Sequence, residues 1–383
     1  MPDASFSHSF PLKHAVEAAT DWSVAWHHDR FLLKASGWRN EPWRHEVLWA
    51  GEPGDVAFLE ITGDNVADED LIWARQLAAM SAMPVAVLCQ VPNQPIFDLF
   101  EDDLIAHSFV EYLRTDSVEW PLLVPMVRSV LAAMDMLQQE RGVQKFVVTG
   151  ASKRGWTTWL LAALNDPRVI GIAPRIFDNL NFPVQLARQI EAWGEPSEEI
   201  DPYVQRGLHQ VLQTREGEKL LELVDPWLMR DAIQVPTLII NGANDPFWMP
   251  DALGVYWGGL PGAHHCLVQP NVGHSLGDIR YWGPTITAFS RACQAGELLP
   301  SPTLEISEDS AVGQCAGMSS WELWVAEAEG MRFAEAVYEL AGTSEAGSIP
   351  LPVSSRDQAI LPIFNIANYR LSLPIQIRAK RGF

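Results

Sequence analysis

Short apolar runs rich in β-branched residues recur along this chain, with helical stretches between them. The runs are Val56–Thr62 (VAFLEIT), Val85–Gln90 (VAVLCQ), Phe146–Thr149 (FVVT), Val169–Phe177 (VIGIAPRIF), Pro236–Ile240 (PTLII) and His265–Gln269 (HCLVQ). A run without polar alternation marks a strand buried on both faces, and helical crossovers between such strands build a parallel sheet. The chain is therefore expected to be α/β, with a mostly parallel central sheet. Helical patterns over Glu69–Ser81, Asp102–Leu113, Leu122–Arg141 and Lys153–Leu164 fit the crossovers, and Phe31–Lys34 and His45–Ala50 read as antiparallel edge strands. One connection is too long for a crossover. Between Phe177 and Pro236 the mainly helical stretch 183–228 predicts a helical cap laid over the sheet edge. Ile279–Ala295 closes the sheet, and a linker with Pro300 and Pro302 leads to strand-rich sequence at Leu304–Ser307, Trp321–Ala326, Arg332–Tyr338 and Tyr369–Ile377. The expected domains are 1–297, carrying the cap, and a small β-sandwich over 298–383.

Composition narrows the function. With 48% apolar residues the 383-residue chain can build a sizeable core. Asp and Glu number 48 against 27 Lys and Arg, for a formal charge of −21. Such a surface repels phosphate backbones and anionic lipid, so neither a nucleic-acid partner nor membrane insertion is expected. The phosphate-cradling patterns GxGxxG and GxxxxGK[ST] are absent, and no cofactor is expected. No metal is expected either. Glu101-Asp102-Asp103 has no histidine at ligand spacing, and His27-His28-Asp29 lies far from the candidate site loops. Four scattered cysteines form no CxxC pair, and Met1–Trp22 holds no apolar run of signal-peptide type, so a reduced, cytoplasmic setting is the expectation. Oligomeric state is not legible.

The sharpest local signal is Gly150-Ala151-Ser152-Lys153-Arg154-Gly155, set between a strand and a helix. A serine at such a junction projects its hydroxyl above the sheet, and the crowded turn needs small neighbours. The bland alternative is a serine helix cap. Context favours the nucleophile, which needs a histidine base and an orienting carboxylate, in the chain order serine, acid, histidine. Asp245 follows the strand Pro236–Ile240, and His274 follows the strand His265–Gln269. Ser152, Asp245 and His274 are thus the candidate triad, with Asp178 as an alternative acid. His264 and His265 begin their strand at the wrong edge. An oxyanion hole is expected from the Lys153 amide and from Gly63 or Asp64. The side chains of Lys153 and Arg154 either pair with Glu101-Asp102-Asp103, the reading weighed ahead, or meet an anionic substrate group. Among 16 tryptophans, Trp156 and Trp159 are expected in the core, while Trp248 and Trp193 could line a cleft.

The runs Val91–Pro95 (VPNQP), Glu101–Ala106 (EDDLIA), Trp120–Met126 (WPLLVPM), Gly150–Trp159 (GASKRGWTTW) and Pro270–His274 (PNVGH) resemble the PhoPQ-activated pathogenicity-related protein family. The resemblance runs from about Trp22 to the C-terminus. It implies an α/β-hydrolase fold with a C-terminal β-domain, and Ser152, Asp245 and His274 as nucleophile, acid and base. Two positions depart from the pattern: Pro246 replaces a larger residue, and Asp64 stands where a second glycine is expected. The nucleophile run is also similar to that of glucuronoyl esterases, which brings in an ester of an acidic sugar. The function expected is a serine hydrolase cleaving a carboxylic ester through an acyl-enzyme, its substrate a small molecule or a glycan, with an anionic group as one option. The alternatives are a serine peptidase of the same fold and a non-catalytic binding or regulatory protein on that scaffold, which the departure at Asp64 and the G-x-S-x-x-G spacing sustain.

Overall fold

The computed structural model describes residues 11–17, 22–27, 30–63 and 68–379. Asp64, His28, Asp29 and most of the N-terminal segment lie outside the described residues. Helix α1 (Pro11–Glu17) precedes an antiparallel meander of β1 (Ser23–His27), β2 (Arg30–Trp38) and β3 (Glu41–Ala50). Strand and helix then alternate through β4 (Val56–Ile61), α2 (Asp68–Ser81), β5 (Val85–Leu88), α3 (Glu101–Thr115), α4 (Leu123–Arg141), β6 (Lys145–Ala151), α5 (Lys153–Ala163) and β7 (Val169–Arg175). A helical insertion follows, formed by α6 (Phe182–Trp193), α7 (Asp201–Val204), α8 (Leu208–Val211) and α9 (Arg215–Val224). Then come β8 (Thr237–Gly242), α10 (Ala252–Tyr256), β9 (His264–Gln269) and α11 (Ile279–Ala295).

The strands order as β1-β2-β3-β5-β4-β6-β7-β8-β9, parallel from β5 to β9. Burial alternates as a two-faced sheet demands. Phe146 and Val148 of β6 join the core shared with α3, α4 and α5, while Val147 joins the core shared with α2 and α11. Each such large side chain contributes about 1.5–3 kcal/mol by leaving water. Because β4 sits between β5 and β6, the chain reverses its direction of travel across the sheet there. The carboxyl ends of the strands at such a reversal leave a crevice, and the loops after β4, β6, β7, β8 and β9 all open on that edge.

The C-terminal strands are β10 (Thr303–Ile306), β11 (Ser310–Gln314), β12 (Met318–Ala328), β13 (Glu339–Ser344), β14 (Ser348–Pro350), β15 (Asp357–Ile366), β16 (Tyr369–Ser372) and β17 (Gln376–Arg378). β16 pairs antiparallel with β9, Ser372 opposite Cys266, so the order β16-β15-β12-β13 continues the central sheet. β10, β11 and β14 form a second, three-stranded sheet. It packs on the Trp321–Phe364 ring pair, where a Cβ at Gly313 would come within 2.7 Å of the indole. The strand expected at Arg332–Tyr338 is absent: residues 329–338 run irregularly across the body of the protein. Conversely, β15 was not anticipated. It carries Pro362, which normally argues against a central strand. Pro362 lies opposite Leu323 of β12, where the partner on the other side changes from β17 to β16. Among the described residues no helix is long and apolar enough to cross a membrane.

Candidate active site

Ser152 sits between β6 and α5 with φ 55° and ψ −125°, a backbone conformation that a residue with a Cβ seldom adopts. Two glycines make the turn possible. A Cβ on Gly150 would lie 2.8 Å from the Arg154 backbone, and one on Gly155 would lie 2.8 Å from the Arg175 carbonyl and 3.2 Å from that of Gly150. The G-x-S-x-x-G spacing thus marks the two places where strand and helix backbones touch. The Ser152 amide donates to the Arg175 carbonyl at 2.9 Å, tying the turn to β7.

Above the turn, Ser152 Oγ lies 2.9 Å from His274 Nε2, and His274 Nδ1 lies 2.8 Å from Asp245 Oδ2. A carboxylate only accepts, so Nδ1 carries the proton and Nε2 is left to accept from the serine hydroxyl. The other Asp245 oxygen accepts from the Phe247 amide at 3.0 Å, and the Phe247 ring stacks on the imidazole with centroids 4.2 Å apart. Asp245 is nearly sealed, with 5% of its side chain exposed against 25% for His274. The two loops hold each other, since the Asn244 amide donates to the Val272 carbonyl at 3.0 Å. A side chain on Gly242 would collide with the Val272 and Gly273 carbonyls. The 329–338 segment braces both loops from behind. Asn244 Nδ2 donates to the carbonyls of Phe333 (3.0 Å) and Ala336 (2.7 Å), and the Asn271 side chain exchanges two hydrogen bonds with the Tyr338 backbone, at 2.9 and 2.8 Å.

The basic pair after Ser152 faces acids, not solvent. Arg154 grips Glu101 with two nitrogens at 2.8 and 2.7 Å and also donates to the Val91 carbonyl; Lys153 Nζ lies 2.6 Å from Asp102 and 3.7 Å from Glu101. Burial alone would raise the Glu101 carboxyl, but hydrogen bonding and charge from Arg154, with Gln94 and Lys153 adding, hold it down at about 2. The pairing with the acidic cluster, weighed ahead, is the one Arg154 makes, and its alternative place at a substrate is corrected: it is buried and bolts helix α5 to the 91–101 loop. Gly63 lies directly against the Arg154 guanidinium, where a methyl group would overlap it.

Asp178, the alternative acid, is turned away from His274 and accepts from the Tyr256 hydroxyl at 2.6 Å. Burial pushes its carboxyl up to about 7, with the charges of Asp245 and Asp251 adding to the rise. His265 is buried at the amino end of β9. Trp248 lines the chamber beside Ser152. Trp193 does not; it lines a separate depression with Asp245 and Trp248, where its indole donates to the Met331 carbonyl at 3.1 Å and lies under Arg332. Sequence reasoning did not single out Phe247, Tyr203, Asn244 or Asn271, whose partners lie far off along the chain. The signal available was adjacency: Phe247 and Asn244 flank Asp245, and Asn271 precedes His274 by one turn of loop.

A serine on a strained strand-to-helix turn, hydrogen-bonded to a histidine and an aspartate from later loops at the carboxyl edge of a parallel sheet, defines the α/β-hydrolase class of fold. An acetyl xylan esterase from Paenibacillus sp. R4 shares that fold, with a TM-score of 0.51 and 14% identity, over 77% of this chain and 96% of that one. The chain matches the family described as PhoPQ-activated pathogenicity-related protein over residues 9–332, and it belongs to that family. A curated relative, autocrine proliferation repressor protein A of Dictyostelium discoideum, is 35% identical over 297 residues, which is 72% of this chain. The chain spans 60% of that relative's length.

Proposed function

We propose that the protein is a serine hydrolase that cleaves carboxylic esters through an acyl-enzyme. The observation that carries the reading is the unbroken hydrogen-bonded series Ser152–His274–Asp245 on a strained turn. Ser152 Oγ attacks the carbonyl carbon while its proton passes to His274 Nε2. The negative charge on the tetrahedral oxygen is met by the Lys153 amide, which opens α5 and has no intrahelical acceptor, and by the backbone at Gly63. The imidazolium then returns its proton to the departing alcohol. A water, deprotonated by the same nitrogen, releases the acid and restores the serine. Asp245 keeps the ring in the productive tautomer.

A fluorophosphonate probe tests this reading. The expected result is an adduct on Ser152 by peptide mass spectrometry, lost in His274→Ala, and ester turnover that falls by on the order of 10⁴ or more in Ser152→Ala. No adduct on the folded protein would sink it. Nitrophenyl esters tested beside the matching anilides separate an esterase from a peptidase. The relative is named as a proliferation repressor; the second reading is a regulatory protein on this scaffold, and labelling of Ser152 would decide against a non-catalytic form of it.

A further inference from the structure

Beside Ser152, the insertion and the sheet enclose a chamber. Its walls include Phe109 and Trp156 from the body, and Phe182, Leu186, Leu208 and Leu220 from the insertion. The aromatic side is rigid: Trp156 stacks on Phe177 with centroids 5.1 Å apart and meets Phe182 edge-on at 5.1 Å. The indole nitrogen of Trp156 donates to the Val224 carbonyl, which fixes the ring to the end of α9. α9 in turn buries Leu220, Leu221, Leu223 and Val224 against the body.

Asp102, Lys153 and Gln189 of the wall are already engaged, while Asn179 also lines the space. Asp102 accepts from the Tyr203 hydroxyl at 2.8 Å and pairs with Lys153 at 2.6 Å, so the charge beside the nucleophile is neutralised within the protein. Gln189 donates to the Phe247 carbonyl at 2.9 Å and accepts from the Ser197 amide at 3.0 Å. His209 Nδ1 and Trp248 Nε1 are buried wall atoms without partners among the described residues, enough for a water or a single substrate oxygen. An anionic sugar would have to enter an apolar space whose cations are occupied, at a desolvation cost nothing there repays.

We infer that the chamber takes an uncharged, apolar group flanking the scissile carbonyl, so that the substrates are esters with a medium-length aliphatic or aromatic half. This rests on the serine-hydrolase reading above. The test uses two series: nitrophenyl esters from acetyl to decanoyl, and acetates of alcohols of increasing length. In one series kcat/KM is expected to rise by about fourfold per methylene until the chamber is full. The series that rises identifies the half of the ester that is bound. Leu186→Trp and Leu212→Trp, at half-buried wall positions, are expected to cut the long-to-short ratio in that series by about tenfold or more. Both variants are checked for folding by fluorophosphonate labelling. Flat or falling profiles in both series, or faster turnover of a methyl ester of a sugar acid, overturn the inference if Ser152 is still labelled. Failure of both labelling and turnover brings down the hydrolase reading and this inference with it.

Discussion

Asp178 and Asp245 stand at the ends of neighbouring strands, and either could serve a histidine in the loop beyond. Their side chains differ in what they meet. Asp245 turns to His274 and is hydrogen-bonded on both oxygens, whereas Asp178 is sealed beneath the site with the Tyr256 hydroxyl. Its raised carboxyl carries a pH signature. The folded protein holds a proton on Asp178 up to about 7, while an unfolded carboxyl releases it near 3.8. Stability from this group is complete at low pH and is lost progressively as pH rises toward 7. Asp178→Asn removes that dependence while keeping an acceptor for Tyr256. Relative to the parent, the variant should gain on the order of 2 kcal/mol between pH 5 and pH 8 in urea denaturation. Parallel pH curves for the two proteins would refute the assignment. At this scale the candidate triad was legible because each member announces itself within its own loop. For Arg154 the acidic cluster was the favoured partner, but which of its acids it grips was not legible, because Glu101 lies 53 residues upstream.

At the scale of elements, parallel strands were the easiest to read, since burial on both faces leaves continuous apolar runs. Arg332–Tyr338 was misread as a strand because its aromatic and apolar residues mimic alternation. Only Phe333 and Tyr338 enter the core, and the backbone there bonds to asparagine side chains instead of a neighbouring strand. Those bonds give the segment a role. Asn244 precedes Asp245 directly and Asn271 lies three residues before His274, so the segment holds both loops from behind. On the serine-hydrolase reading, Asn244→Ala or Asn271→Ala should lower kcat by about tenfold with little change in KM, because loosened loops misplace the imidazole without touching the chamber. A rise in KM at unchanged kcat would show that the brace shapes substrate binding instead.

For the whole molecule, the question is whether the C-terminal strands form a unit of their own. Ser372 sits opposite Cys266, and its hydroxyl accepts from the Val268 amide at 2.8 Å, so β16 covers the edge of β9 that would otherwise lie bare. Both cores cross this junction. Phe333, Tyr338 and Leu361 share a cluster with Tyr256 and Val268, and Trp321 and Phe364 share one with Ile286 and Phe289. Apolar contact on both faces of one continuous sheet couples the two parts more strongly than a linker-joined interface would. The strand pairing across β9 leads us to expect that Pro300 and Pro302 mark a change of composition without a change of folding unit. The intact chain should therefore unfold in a single calorimetric transition whose van't Hoff and calorimetric enthalpies agree. A chain ending at residue 302 should lack a cooperative transition and associate through the exposed β9 edge. Two resolved transitions in the intact protein, or a shortened chain that melts cooperatively as a monomer, would show that β9 ends one folding unit and that the loop brace is a contact between two.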